Sequence, residues 1–397
     1  MTGTGLNLWD PAVLTALTEG DIGSSEYDLT TLAQGSKTPS VVTSEVTGMT
    51  TRGGRMTLTA LLTLAFGVLS QGAQVEVRPR PADRRVDVLV DGKAFTSYTW
   101  PERVSKPILC PIRTARGTIV TRGFPLDPRP GERVDHTHQA GYWFTYGDVD
   151  GVDFWGNSDA IPEGERAKMG VIRQREVVAA HGGPGRGDLE VRADWVMPGG
   201  AVALDENTRF SFRADALVRM IDRVTTLAAK GKVTFRDTKE GMLGLRVARG
   251  LEQPADKPEV FTDATGKPTA VPVLDNTGVS GLFMSSEGLK GDAVWGTRAR
   301  WMALSGRVGD EDVVLLLLDH PKNPGYPTYW HARGYGLFAA NPFGPKAFSN
   351  GKEAERPYSI AAGESAAFRH RLAILPGPFS AEKAEAAWKE FVAEYGN

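Results

Sequence analysis

Four of the six histidines fall in two stretches of the chain, Asp135–Trp143 and Asp319–Tyr335, among carboxylates, amides and aromatic rings. The first reads Asp135-His136-Thr137-His138-Gln139-Ala140-Gly141-Tyr142-Trp143. The second opens Asp319-His320-Pro321-Lys322-Asn323-Pro324, passes through Trp330-His331-Ala332-Arg333-Gly334-Tyr335 and reaches Asn341-Pro342-Phe343-Gly344. Imidazoles and carboxylates are the side chains best suited to moving protons near neutrality. An arginine fork matches a carboxylate or a pair of hydroxyls, and Trp and Tyr offer an apolar face with a polar tip. Such density implies one composite polar pocket.

His136 and His138 lie two apart, so they share a face on a strand or converge in a loop. They can serve as a general acid or a divalent-metal pair, or as hydrogen-bonding groups that stiffen a loop. The spacing is compatible with a metal but far from diagnostic, and no cofactor is required. Lys239-Glu240-Gly241 lies between two strand-like segments. Glu240 can act as base or acid beside the Lys239 charge, although an exposed hairpin tip uses the same residue types. Asp319 ends the apolar run Val313–Leu318, where rigid scaffold meets loop, and Pro321 and Pro324 would aim His320 and Asn323. The expected catalytic set is His138 or His331 as acid, Glu240 as base and Asp319 as a further carboxylate. The expected binding set is His136, Lys239, His320, Asn323, Trp330, Arg333 and Asn341. Plain packing is the competing reading for the second cluster. Asp148-Val149-Asp150-Gly151-Val152-Asp153 imitates a calcium loop but lacks its terminal Glu, and an Asp150-Gly151 turn accounts for much of it. No phosphate loop or nucleophile elbow is present; residues 182–187 read as a flexible glycine-rich turn.

The elements that must hold these groups are strands. The 397 residues, 41% hydrophobic and 24% charged, suffice for a sizeable core, and 46 Gly with 25 Pro favour many turns. A formal net charge of −2 leaves no electrostatic footprint for nucleic acid. Arg85–Val90 alternates, Asp91-Gly92 suits a type I′ turn, and Lys93–Trp100 returns. Asp150-Gly151 and Asn350-Gly351 are further hairpin-type pairs. Residues 209–248 alternate over several segments, and Arg298–Leu304 with Asp312–Leu318 makes another strand pair. Val313–Leu318 is apolar on both faces, which predicts a central strand between two layers. Residues 251–275 read as a long surface loop. Ser380 is a helix N-cap, with Ala384, Ala387, Trp388, Phe391 and Tyr395 on one face. Cys110, the single cysteine, sits in an apolar strand-like run and reads as a buried, inert thiol. The fold class is all-β: a large two-sheet β-sandwich, supersandwich-like, with a short C-terminal helix.

Residues 1–48 do not read as a packed domain. From Met49, a basic stretch with Arg52 and Arg55, the apolar run Leu58–Leu69 and small residues up to Ala73 form a signal peptide over 49–73. The run is too short to span a bilayer of roughly 30 Å. Residues 1–48 are then expected to be upstream sequence, with translation starting at Met49 or Met56. One sandwich domain would occupy 74–397, secreted or periplasmic and without a membrane span in the mature protein.

Four motifs resemble a set of secreted bacterial proteins known as PmoA-like: Asp135–Gly141 with Gly147–Trp155; Asp237-Thr238-Lys239-Glu240-Gly241; Asp319-His320-Pro321 with Asn323; and Trp330–Arg333 through Phe343-Gly344. They span most of the mature chain. Gln139 and Ala140 stand where that set carries a histidine and an arginine, and Ala303 where it carries an aspartate. The resemblance implies a mutarotase-like supersandwich and, by analogy of fold, a carbohydrate or sugar derivative as partner. Hydrolase, lyase or epimerase chemistry would follow, with a non-catalytic glycan-binding or surface-structural module as the alternative. Methane oxidation is excluded by the lack of long apolar segments.

Overall fold

The computed structural model describes residues 72–396. The signal-peptide and upstream-segment expectations lie almost wholly outside the described residues. Within them, no helix is long and apolar enough to cross a membrane.

The alternation read over Arg85–Val90 is what folds: Val86, Val88 and Val90 are buried while Arg85, Asp87 and Leu89 are not. Asp91 (φ 50°) and Gly92 (φ 73°) take the left-handed positions that a two-residue hairpin demands, and Lys93–Thr99 returns beside its partner. Repeated across the chain, this builds two large sheets in which every pairing between named strands is antiparallel. The nine-stranded sheet runs, in space, Tyr329–Arg333, Leu337–Asn341, Gly241–Arg246, Tyr142–Tyr146, Ile108–Leu109, Lys93–Thr99, Arg85–Val90, Gln74–Arg80 and Gly183–Pro184. The eight-stranded sheet runs Leu282–Ser285, Trp301–Val308, Glu311–Asp319, Ser365–Pro376, Arg219–Ala229, Val202–Ala214, Arg186–Val196 and Val171–His181. Val233–Phe235 and Tyr358–Ile360 pair as a small third sheet. The all-β class and the C-terminal helix are therefore as expected. Two local readings change. Gly183–Pro184 is an edge strand of the nine-stranded sheet, and beyond Gly185 the chain enters Arg186–Val196 of the other sheet; Asn350-Gly351 closes the one-turn helix Pro345–Phe348 instead of a hairpin.

One continuous hydrophobic core draws on the inner faces of both large sheets, as in a sandwich. Val313–Leu318 shows how both faces of a strand are used. Val313, Leu315 and Leu317 join the inter-sheet core, while Val314, Leu316 and Leu318 pack against the helix Ala381–Glu394 through Ala384, Ala387 and Phe391. Ser380 caps that helix by accepting from the Lys383 amide. Its far end is tied down electrostatically. Arg371, fully buried, donates from Nε and Nη2 to Asp222 (2.5 and 2.8 Å) and from Nη2 to Glu394 (2.6 Å), and Tyr395 also donates to Asp222 (3.1 Å).

Arg371→Met is expected to leave the 1%-exposed Asp222 charge without its main partner and to cost about 3–5 kcal/mol in urea unfolding. A loss nearer the ~1 kcal/mol typical of an exposed pair would show that the helix is held by its apolar face alone.

Candidate functional site

The edge of the nine-stranded sheet farthest from Gln74–Arg80 carries the site. Alternation along Tyr329–Arg333 sends Trp330 and Ala332 into the inter-sheet core and His331 and Arg333 to the outer face. Across the sheet one row of partners reads His331, Ala339, Gly244, Trp143, Ile108. Two small residues in the middle leave a trough. A Cβ at Gly244 would meet the Trp143 indole at 2.3 Å, so only glycine lets that ring lie there. Trp143 and Trp155 pack edge to face (5.1 Å between rings) and form the floor.

The loop Asp135–Gln139 is wrapped around two buried guanidiniums. Arg122 donates to the carbonyls of Asp135, His136 and Gln139 (2.9 Å each) and to the Asp135 carboxylate (2.8 Å). Arg246 donates to the same carboxylate and to Gln139 Oε1, both at 2.6 Å. Burial opposes ionisation of Asp135, but Arg246, the hydrogen bond from His136 and Arg122 outweigh it and hold the carboxyl well below the usual range. His136 takes a left-handed backbone (φ 46°), uncommon without glycine, with its ring stacked on Tyr335 (5.0 Å, 6° between planes). Gln139, which replaces a histidine in the resemblance, supplies here a neutral acceptor between two cations.

Glu240 is placed by an equally constrained turn. Asp237 accepts from the amides of Lys346 and Ala347, Asn341 Nδ2 donates to the Thr238 carbonyl (2.8 Å), and His331 Nδ1 donates to the Lys239 carbonyl (3.0 Å). Gly147 has no room for a Cβ because Glu240 Cβ would stand 2.7 Å away. The Glu240 carboxylate lies 4.0 Å from His331 Nδ1 and pairs with Lys239.

A cleft of about 460 Å³ results, within the range of roughly 300–1,000 Å³ usual for small-molecule sites. Its walls bring together His136, His138, Lys239, Glu240, His331 and Arg333, all expected from sequence, with Gln139, Asp153, Trp155, Trp295 and Tyr335. Burial, then the nearby Lys106, His136, Arg246 and Arg122 cations or potential cations, push the His138 pKa down to about 2; burial pushes His331 down to about 4 despite Glu240. Burial thus favours the neutral form of both rings at pH 7, so the acid role expected of either would draw on a neutral ring N–H rather than an imidazolium. Because His331 Nδ1 faces a carbonyl it carries the hydrogen, leaving Nε2 as the lone-pair nitrogen. Burial raises Asp153, even with its carboxylate accepting from the amides of Gly156 and Trp155. Lys106, beneath the floor, donates to the Trp155 carbonyl (2.8 Å), and burial lowers its ammonium to about 7. Asp148, Asp150 and Asp153 each cap a different stretch of backbone, so the calcium-like spacing is turn chemistry. Among the described residues no group of three or more His, Cys, Asp or Glu could hold a metal ion.

The other sequence candidates lie elsewhere. Asp319, His320 and Asn323 belong to the end of an eight-stranded-sheet strand, under the C-terminal helix. The Asp319 carboxylate accepts from the amides of His320 and Thr328 and from Asn323 Nδ2 (2.7–2.9 Å), and the His320 ring packs on Phe391. Trp330, fully buried, donates to the Ala299 carbonyl within the core. Asn341 is also buried and positions the Glu240 turn. None of these five lines the cleft, and each has a hydrogen bond or ring contact where it lies. Sequence reasoning missed Trp295 and Lys106, which stand alone in unremarkable loops, and read Asp153 only as part of a turn.

The buried imidazoles set a pH dependence. His138, His331 and His370 have native pKa values of about 2, 4 and 3, against 6.5 for the free side chain, so below pH 6.5 the unfolded chain binds more protons at all three. Asp319, raised by burial to about 7, works in the opposite direction at one site. With His320 also lowered and Asp153 also raised, four imidazoles outweigh two carboxyls, so stability should fall as pH drops from 6.5 to 4. Melting midpoints at pH 4.5 and 7.5 check this, and a flat profile would refute the neutral-imidazole assignment.

A model of the family of unknown function DUF6807 matches residues 85–389. No curated protein matches the chain. Among solved structures it is similar to a galactose mutarotase-like protein from Clostridium acetobutylicum, at 10% identity and TM-score 0.32, over 77% of this chain and 99% of that one. It is also similar to a galactose mutarotase related enzyme from Lactobacillus acidophilus (7% identity, TM-score 0.26, 77% and 97% covered). A third is the GH36 alpha-galactosidase AgaA from Geobacillus stearothermophilus (9% identity, TM-score 0.26, 77% and 40% covered). The PmoA-like label attaches to none of these matches. The matched segment takes in every strand of the two large sheets except Gln74–Arg80 and every wall of the cleft, and the chain belongs to the DUF6807 family.

Proposed function

We propose that the cleft binds a sugar or sugar derivative. The observation that carries this reading is the convergence, in one cavity, of hydrogen-bond acceptors and donors with aromatic surfaces: Glu240, Asp153, His138 and His331 together with Lys239 and Arg333, among Trp155, Trp295 and Tyr335. A sugar ring presents hydroxyls at its rim, each both donor and acceptor, and C–H groups on its faces; this lining answers both. Export from the cytoplasm rests on the residue pattern of 49–73.

A second reading, proton transfer on the bound sugar, is favoured by one specific arrangement. A neutral imidazole at His331 stands 4.0 Å from the Glu240 carboxylate, and across the same cavity lies Asp153, whose burial favours the protonated form. Glu240 or His331 would take a proton and Asp153 would supply one, as epimerisation or lyase chemistry requires.

Calorimetric titration of neutral hexoses, pentoses and sugar acids should identify at least one that binds, with Arg333→Met and His331→Ala each weakening it about tenfold, near 1.4 kcal/mol. If every sugar is ignored, the reading fails. Incubating the bound sugar with the protein separates the two roles. Glu240→Gln should slow turnover by roughly 10²–10⁴-fold if the site transfers protons, whereas binding without any turnover by the unaltered protein leaves a binding module.

A further inference from the structure

The cleft does not end at Arg333. A second cavity of about 340 Å³ shares its Trp295, Arg333 and Tyr335 wall and opens on the other side toward residues 253–259 and Asp292. Arg333 forms the divide. Its guanidinium lies over the Trp295 ring (5.5 Å to the centroid) and has no carboxylate within ion-pair distance among the described residues, so its donors remain free for a ligand reaching either side. The second lobe has a distinct charge. Asp256, Glu259 and Asp292 line it, and its one further cation, Arg133, is already paired with Glu252 (2.7 Å) and Glu259 (2.8 Å). Gln253 donates to Asp292 (2.9 Å), which leaves the Gln253 carbonyl and the remaining carboxylate lone pairs as acceptors. A surface rich in carboxylate acceptors repels an anionic unit and accepts hydrogen bonds from uncharged hydroxyls.

We infer that the two cavities are adjoining subsites of one groove for a neutral glycan at least two sugar units long, with Arg333 at the junction. The inference rests on the sugar-binding reading above and names the class of sugar that the site takes. Two substitutions fill the outer lobe without touching the inner cleft. Ala255→Trp places an indole among the residues that line only the outer lobe. Gly334→Leu enters at another point of the wall, where an added Cβ would stand 3.1 Å from Gln253 Nε2 and 3.2 Å from Gln253 Cβ.

The test is titration of the intact mature protein with the monomers, dimers and trimers of glucose and of galactose, and with galacturonate and its dimer as charged counterparts. In the neutral series that binds best, the dimer should bind at least about tenfold more tightly than the monomer. Ala255→Trp and Gly334→Leu should each erase that gain and leave monomer affinity within about twofold. Equal affinity for monomer and dimer, a gain that survives both substitutions, or a preference for the galacturonate dimer would each overturn the inference while monomer binding kept the simpler reading intact. Failure of every sugar, monomers included, would remove both.

Discussion

Two buried arginines sharing one carboxylate hold the site in place. Arg122 and Arg246 are each at most 1% exposed, and Asp135 bridges them. Removing two guanidiniums from water is costly unless their donors are used. Their Nη donors are used on backbone carbonyls of the Asp135–Gln139 loop, on Gln139 Oε1 and on Asp135, while the Nε of each has no hydrogen-bond partner. The loop is therefore shaped around the cations, and His136 and His138 take their positions from it. Burial, then Lys106 and His136, keep the His138 ring neutral, and the two arginines add a smaller push in the same direction. The charge that fixes the loop therefore reinforces, without setting, the protonation state of the ring the loop presents.

The second constraint is the narrowness of the Glu240 turn. It is fastened from three directions, by Asp237 on the start of a one-turn helix, by Asn341 and by His331. His331 thus holds the backbone that carries Glu240 while standing beside its carboxylate. A residue with both duties cannot be read from kinetics alone, because its loss moves the turn as well as the chemistry.

Much of this was legible in the sequence, and the failures have physical causes. Strand alternation and the Asp91-Gly92 turn are local, so the all-β class followed directly. The convergence of the 135–141, 239–241 and 331–333 segments was legible because each concentrates polar groups beside apolar strands. Trp330 was misplaced because motif density outweighed the two-residue period that turns it inward. Asp319, His320 and Asn323 were drawn into the site by sequence proximity to His331. The chain crosses from one sheet to the other between residues 319 and 329, and nothing local announces that crossing. Lys106 and Trp295 left no signal, since an isolated lysine or tryptophan in a loop is ordinary until burial or neighbours make it otherwise.

The alternation along Tyr329–Arg333 also divides the molecule into parts that can and cannot diverge. A slip of one residue in that strand would expose Trp330 and bury Arg333, so core and site would fail in the same event. The borders of the groove come instead from loops, at residues 135–139, 237–240 and 253–259, whose side chains can change without shifting that register.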